Sequence, residues 1–366
     1  MTSPLLHRPG AVEGEGADAG VAAHYGDPMR EQRTLGAGAA LVDLSHRGVV
    51  TVTGPDRLSW LHSMTTQSLA GAAPLAPGVS AETLVLSPRG HVEHALHLVD
   101  DGATTWLTVE HGTAPALVAW LDSMRFMLRV EVTDRSEEYA VLGRHTSSVG
   151  LPTPGFDQEA TANVIVWDDP WPGLVGDTAA YGPVDGHPGE LWHWQELIVP
   201  RALLTEAVGE APLAGMWAAE AMRVAAWRPR LGFETDHRTI VHEVDWLRTA
   251  VHLHKGCYRG QETVARVHNL GRPPRRIVFL HLDGSGHELP ARGAEVTLGD
   301  RVVGRVTSVA LHYLDGPIAL AVVKRSTPVD AVLTIGDVSA AQTQIAVSYT
   351  HLRAHETDSY LVCRLL

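Results

Sequence analysis

The sequence predicts an α+β fold, with mixed α/β modules of ferredoxin-like plan followed by a small β-barrel. Three observations carry this. At 366 residues the chain is too long for one ordinary core, and two or three domains are expected. Residues 48–133 alternate β-branched runs with helically spaced apolar residues. Residues 276–333 break into short strands separated by glycine turns, which is the spacing of a barrel. A hydrophobic content of 45% and a charged content of 19% belong to a folded chain rather than a disordered one.

Residues 1–35 are rich in Gly, Ala and Pro and read as an arm that orders on contact. Gly48–Thr53 is expected as a strand. Gly54-Pro55-Asp56 then opens a helix, with Leu58, Leu61 and Met64 at helical spacing. Glu82–Leu86 is a second strand, and Val92, His94, Leu96 and Leu98 alternate through a third that turns at Asp100-Asp101-Gly102. Thr104–Val109 returns as the fourth, Pro115–Met124 is a helix, and Arg129–Thr133 is the last strand. This order is the split βαβ plan, and residues 36–139 are assigned to it.

Residues 140–274 form a second, looser module, broken by Pro170, Pro172, Pro183 and Pro188. A helix is expected over 213–226, ended by Trp227-Arg228-Pro229-Arg230. Residues 275–346 hold the barrel, with strands expected at Ile277–Leu282, Glu295–Leu298, Gly304–Val309 and Ile318–Val323. Residues 347–366 change texture abruptly and resemble translated sequencing-adapter DNA. We read them as an assembly artefact; resequencing the locus tests this, and finding the tail in genomic DNA would overturn it. Cys257 is then the one native cysteine.

A net charge of −13 disfavours general binding to nucleic acid or anionic membrane. No stretch reaches the roughly 18 apolar residues of a membrane span. The N-terminus lacks a signal-peptide plan, and two cysteines make no disulfide framework, so a reducing cytoplasm is expected. Against this acidic background, Lys255, Arg259, Arg266, Arg272, Arg275 and Arg276 face one acid, Glu262, for a local charge of +5. Such an island reads equally as an anion site or as a solvated loop.

The island begins with Lys255-Gly256-Cys257-Tyr258-Arg259-Gly260-Gln261-Glu262. Two glycines so close suit neither a helix interior nor a strand interior. A cation on each side of Cys257 argues against a buried structural thiol, and Lys255 would favour the reactive thiolate if the two side chains converge. His252 and His254 offer ligand types beside Cys257, but no finger-like partner follows and Lys255 would repel a cation, so no metal is expected. Cysteine-protease chemistry has no histidine singled out among 21. No G-x-G-x-x-G or phosphate loop is present. Trp192, Trp194, Trp217 and Trp227 cluster mid-chain, as core or as stacking faces for a planar heterocycle.

The octet resembles the K-G-C-[FY]-x-G-Q-E signature of the YgfZ family, relatives of the glycine-cleavage T-protein. Thr263-Val264-Ala265-Arg266 continues the likeness, and Arg228-Pro229-Arg230-Leu231-Gly232 with Glu243 resembles the segment leading into it. Val50–Asp56 resembles the first folate-domain strand and helix, Ser87–Val92 its hairpin, and Thr307-Ser308 the T-protein barrel. The likeness covers roughly residues 35–345.

The resemblance implies a three-module ring around a channel holding tetrahydrofolate. It also implies a role in assembling or repairing iron–sulfur proteins, as clients, with effects on tRNA modification. Cys257 and Lys255 become the reactive pair, with Tyr258, Gln261 and Glu262 shaping the loop. Arg266 is matched to the folate's glutamate tail, and Glu93, Arg47 and Trp217 are further cofactor-binding candidates. Glu93-His94 stands where T-proteins carry an Asp-Asp pair, and no Gly-Tyr-Thr-Gly-Glu segment lies between 140 and 210. Arg47 and Ala219 fall near positions where some members place folate-stacking tryptophans. A T-protein-like aminomethyltransferase is therefore the alternative, short of its usual acid–base groups.

Overall fold

A computed structural model describes residues 2–71, 74–146, 164–183, 185–270, 272–286 and 288–346. The adapter-like segment 347–366, with Cys363, lies outside the described residues. An antiparallel ribbon of β1 (Val12–Glu13) and β2 (Ala22–His24) leads into α1 (Pro28–Gly36) and β3 (Leu41–Asp43). Leu5, Val21 and Leu35 are buried, so the first residues pack into the body of the protein.

Next come β4 (Gly48–Thr53), α2 (Arg57–Met64), β5 (Ser80–Leu86), β6 (Val92–Asp100), β7 (Thr104–Val109), α3 (Ala114–Ser123) and β8 (Glu131–Asp134). Their sheet runs β5-β6-β7-β4-β8, and every neighbouring pair is antiparallel. With β5 set aside as an added edge, this is the ferredoxin-like arrangement. Val50, Val52, Leu96, Leu98 and Leu107 pack under Trp60 and Leu61 of α2 and Leu117 and Leu121 of α3. Leu61, Leu96 and Leu98 are positions that the spacing marked, whereas Trp60 was not marked and Leu58 and Met64 are only partly buried.

The second sheet combines β9 (Tyr139–His145), β10 (Ile165–Asp168) and β11 (Trp194–Pro200) with β3 and a short later strand. After α4 (Leu204–Val208) that strand, β12 (Leu213–Ala214), pairs parallel to β3, giving the order β10-β11-β9-β3-β12. Since Leu41 lies opposite Arg144, the whole first sheet is inserted between two adjacent strands of the second. The helix expected over 213–226 starts later: its first two residues join the ladder on β3, and α5 (Met216–Ala225) begins after Gly215.

Beyond α5 lie α6 (Leu247–Ala250) and α7 (Gln261–Leu270), a helix that the spacing did not reveal. The barrel closes as β13-β16-β15-β14-β17-β18. Its strands are β13 (Arg275–Leu282), β14 (Glu295–Leu298), β15 (Arg301–His312), β16 (Gly316–Lys324), β17 (Val332–Ile335) and β18 (Val338–Gln344). The last hairpin went unread in the sequence because β17 is too short to show alternation. Helix α5 contacts α1, β2, β3, β15 and β16, so it is the pillar on which the parts converge. Among the described residues no helix is long and apolar enough to cross a membrane.

Candidate functional site

Two places gather the chemistry-bearing residues. The first is the octet. Lys255 to Gly260 form an irregular loop that ends in a turn at Arg259-Gly260, and Gln261 and Glu262 open α7. Gly260 has φ +85°, and a Cβ there would lie 2.6 Å from the Ser87 carbonyl oxygen and 2.9 Å from the Gly90 Cα. Gly90, at φ +78°, would in turn push a Cβ to 2.6 Å from that of Thr263. The β5–β6 hairpin is therefore seated directly on the octet, which explains the glycine at both positions.

Lys255 does not turn toward Cys257. Its ammonium donates to the carbonyl oxygens of Thr65 at 2.6 Å and Gln67 at 2.8 Å, and to that of His62. All three of its donors are thus used around the C-terminus of α2, a favourable place for a cation. The same ammonium lies 5.2 Å from the Tyr258 ring centre. Burial pushes Lys255 down to about 7. The carbonyls oppose this, because a neutral amine could satisfy only two of them. Lys255 locks the loop, and Cys257 stands exposed at its tip.

Around that thiol, Gln261 accepts from the Tyr258 backbone N–H at 3.0 Å, and the Tyr258 ring packs against the main core. Burial pushes the Tyr258 phenol up. Glu93 is the unpaired extra residue of a β-bulge between Val92 and His94, and the bulge aims it at Arg259, 3.0 Å away. Arg259 also lies over Trp120 of α3 at 5.5 Å. His94, the next residue of β6, is pushed down by burial.

Most of the basic island is used inside the fold. Arg275 is clamped by Asp236 at 2.6 Å and Glu243 at 2.8 Å, and Arg276 donates to the carbonyls of Arg325 and Thr327. Only Arg266 and Arg272 remain exposed, Arg266 one turn after Glu262 on α7 and Arg272 beyond its end. The +5 cluster of the sequence is thus no single anion site, because each arginine follows its own element.

The second place is a cavity of about 50 Å³ between the two sheets and α5, which Arg47 lines. Arg47 is paired with Glu196 through Nη1 and lies 3.3 Å from Glu110 through Nη2. Glu196 also accepts from Thr108 and lies 3.1 Å from His97 Nδ1, whose ring stacks on Trp167 at 3.8 Å. Burial alone would raise Glu196; Arg47, His97 and Thr108 outweigh it and hold it at about 2. Glu110 is held at about 2 in the same way, burial being opposed by Arg230 and then Arg47. Arg230 runs on to Asp18 of the N-terminal ribbon at 2.7 Å and to Glu220 of α5 at 3.2 Å. Trp192 and Trp194, stacked with centres 5.0 Å apart, form one wall.

The sequence pointed to Arg47 and missed its partners. Glu196 carried a signal, since it shares the inward face of β11 with Trp194 and Ile198, where a carboxylate stands out. Trp217 lies elsewhere, 56% exposed beside His24, on a separate cavity of about 510 Å³ between α1, α5 and the barrel. The structure thus joins Lys255, Cys257, Tyr258, Gln261 and Glu93 through one hairpin contact, and keeps Arg47 and Trp217 apart from them. Among the described residues no cluster of His, Cys, Asp and Glu could hold a metal ion.

A ferredoxin-like sheet nested in a second sheet and followed by a closed barrel, with a charged cavity between the two sheets and α5, is the T-protein fold. Residues 6–143 match the GCVT N-terminal domain, and residues 275–357 match the glycine cleavage T-protein C-terminal barrel domain, so the chain is T-protein-like. The glycine cleavage system aminomethyltransferase T from Bartonella henselae has the same fold, with a TM-score of 0.72 at 20% identity over 93% of this chain and 94% of that one. An aminomethyltransferase from Symbiobacterium thermophilum is 29% identical over 82% of each chain. A mitochondrial homologue of the iron–sulfur cluster assembly factor IBA57 from Mycosarcoma maydis is 24% identical over 69% of this chain and 59% of its own. A chloroplastic protein of Arabidopsis thaliana is 26% identical over 74% of this chain, which spans only 62% of that relative's length.

Proposed function

We propose that the chain is a folate-binding, YgfZ-like member of this group that acts in assembling or repairing iron–sulfur proteins, with effects on tRNA modification. One observation carries the reading. Cys257 is exposed on a loop held by the Lys255 carbonyl cage and the Gly260–Gly90 contact, which is how a protein presents a reactive side chain to a partner rather than burying it. Tetrahydrofolate belongs in the central cavity. The donor chemistry there fits, with a buried carboxylate for the amino edge of a pterin and the Trp192–Trp194 wall for its face. The space does not suffice while Arg47 is paired. The likeness to the IBA57 homologue supports the iron–sulfur assignment.

The experiment is complementation of a deletion strain. Cys257→Ser should fold normally and fail to restore iron–sulfur enzyme activity; full rescue by the serine variant would sink the reading. The aminomethyltransferase alternative is favoured by the likeness to the Symbiobacterium enzyme. It is opposed by the tie of Glu93 to Arg259, which occupies the carboxylate nearest the expected catalytic position. Tetrahydrofolate-dependent release of a one-carbon unit by the pure protein would favour that alternative.

A further inference from the structure

We propose that Arg47 is a built-in plug of the central cavity, a side chain that occupies on Glu196 the place of a ligand's planar N–H edge and must swing out before the ligand enters. The proposal rests on the folate reading and assigns Arg47 the opposite role to a contact residue. A guanidinium and the 2-aminopyrimidine end of a pterin share one N–C(NH₂)–N unit and offer a carboxylate the same pair of N–H donors. In this structure Arg47 Nη1 takes one oxygen of Glu196, Thr108 takes the other, and Arg47 Nη2 turns to Glu110. The space left is about 50 Å³, against roughly 300–1,000 Å³ for small-molecule sites.

Three further observations make Arg47 the removable member of the cluster. Glu110 does not depend on it, since Arg230 already holds that carboxylate at 3.0 Å while Arg47 stands at 3.3 Å. Glu196 keeps Thr108 and His97 when Arg47 leaves. Arg47 itself is incompletely bonded, because its Nε has no hydrogen-bond partner among the described residues. It also has somewhere to go. Arg47 lines a second, open cavity of about 460 Å³ whose walls include Asp134, Glu137 and Glu138. A rotation of one side chain toward this cavity, which Arg201 also lines and where Arg135 already holds Glu138, would take the guanidinium off Glu196 and open the wall beside Trp192 and Trp194.

The test is a titration of the full-length protein with 5-formyltetrahydrofolate, followed by calorimetry and by tryptophan fluorescence, for wild type, Arg47→Met and Arg47→Lys. If the open state is the minor one, removing the plug removes its population penalty, and Arg47→Met should bind about tenfold or more tightly. Arg47→Lys, which keeps a charge beside Glu196 but lacks the planar group that reaches Glu196 and Glu110 together, should fall between. It also carries the test if the methionine variant does not fold. Equal or weaker binding by both variants would overturn the plug and leave the folate reading standing. Absence of binding by all three proteins would overturn both.

Discussion

Gly260 and Gly90 meet backbone to backbone, with the position of a Cβ on Gly260 only 2.9 Å from the Gly90 Cα. The contact joins the β5–β6 hairpin to the cysteine loop, two segments far apart in sequence. It makes the conformation of the exposed thiol a property of the fold rather than of the loop.

Gly260→Ala is expected to destabilise the protein by roughly 1–3 kcal/mol, from the left-handed backbone and from overpacking on Ser87. Gly256→Ala, with open space around it, should change stability by less than about 0.5 kcal/mol. Urea midpoints of the two variants compare them directly, and equal losses would mean that the hairpin is not seated as described.

Lys255→Met leaves three carbonyls without their donor, at a cost of about 1–3 kcal/mol for a buried unsatisfied group. Lys255→Arg should not restore stability, because a planar fork cannot reach three carbonyls arranged around an ammonium. The measurement is again chemical denaturation. A fully stable arginine variant would show that charge alone, not the cage, fixes the loop.

Acid should destabilise the protein well above the carboxylate range. Burial, with the charge of Arg248, holds His187 at about 3, and burial with His268 holds His242 at about 3. Both lie below the histidine value of about 6.5 expected unfolded. Between pH 6.5 and 3 the unfolded chain binds more protons, so stability present above 6.5 is lost as pH falls. Glu110 and Glu196 extend the loss between about 4.5 and 2. Asp245, raised by burial to about 6, acts in the opposite direction, its contribution being present below 3.8 and lost as pH rises through 6. Denaturation midpoints from pH 7.5 to 4 should fall, and His242→Gln should make the fall shallower.

Ser308→Ala should weaken the seam between the barrel and α5. Its hydroxyl donates to Glu234 at 2.5 Å and accepts from Arg223 at 2.6 Å, all three groups being buried. Loss of this bridge should cost about 1–3 kcal/mol, read as a lower melting temperature with native circular dichroism retained.

Periodicity alone made the first sheet legible. Gly48–Thr53 and Thr104–Val109 have the same bounds in sequence and in structure, because strand alternation and turn residues are local signals. Four of the six barrel strands were legible for the same reason. The octet also announced itself locally, as glycines, charge and sulfur that no regular element would choose. Nesting of the first sheet between β3 and β9 was not legible, since ladder partners about a hundred residues apart leave no local trace. The sequence by itself determined the strands and helices of the first sheet, four strands of the barrel and that Cys257 sits on a special loop. Only the tertiary structure decided that Lys255 faces the carbonyls near α2 instead of the thiol, and that Arg47 lines the cavity paired with Glu196. A charged side chain takes the partner that packing brings to its desolvated end, and nearness along the chain does not choose it.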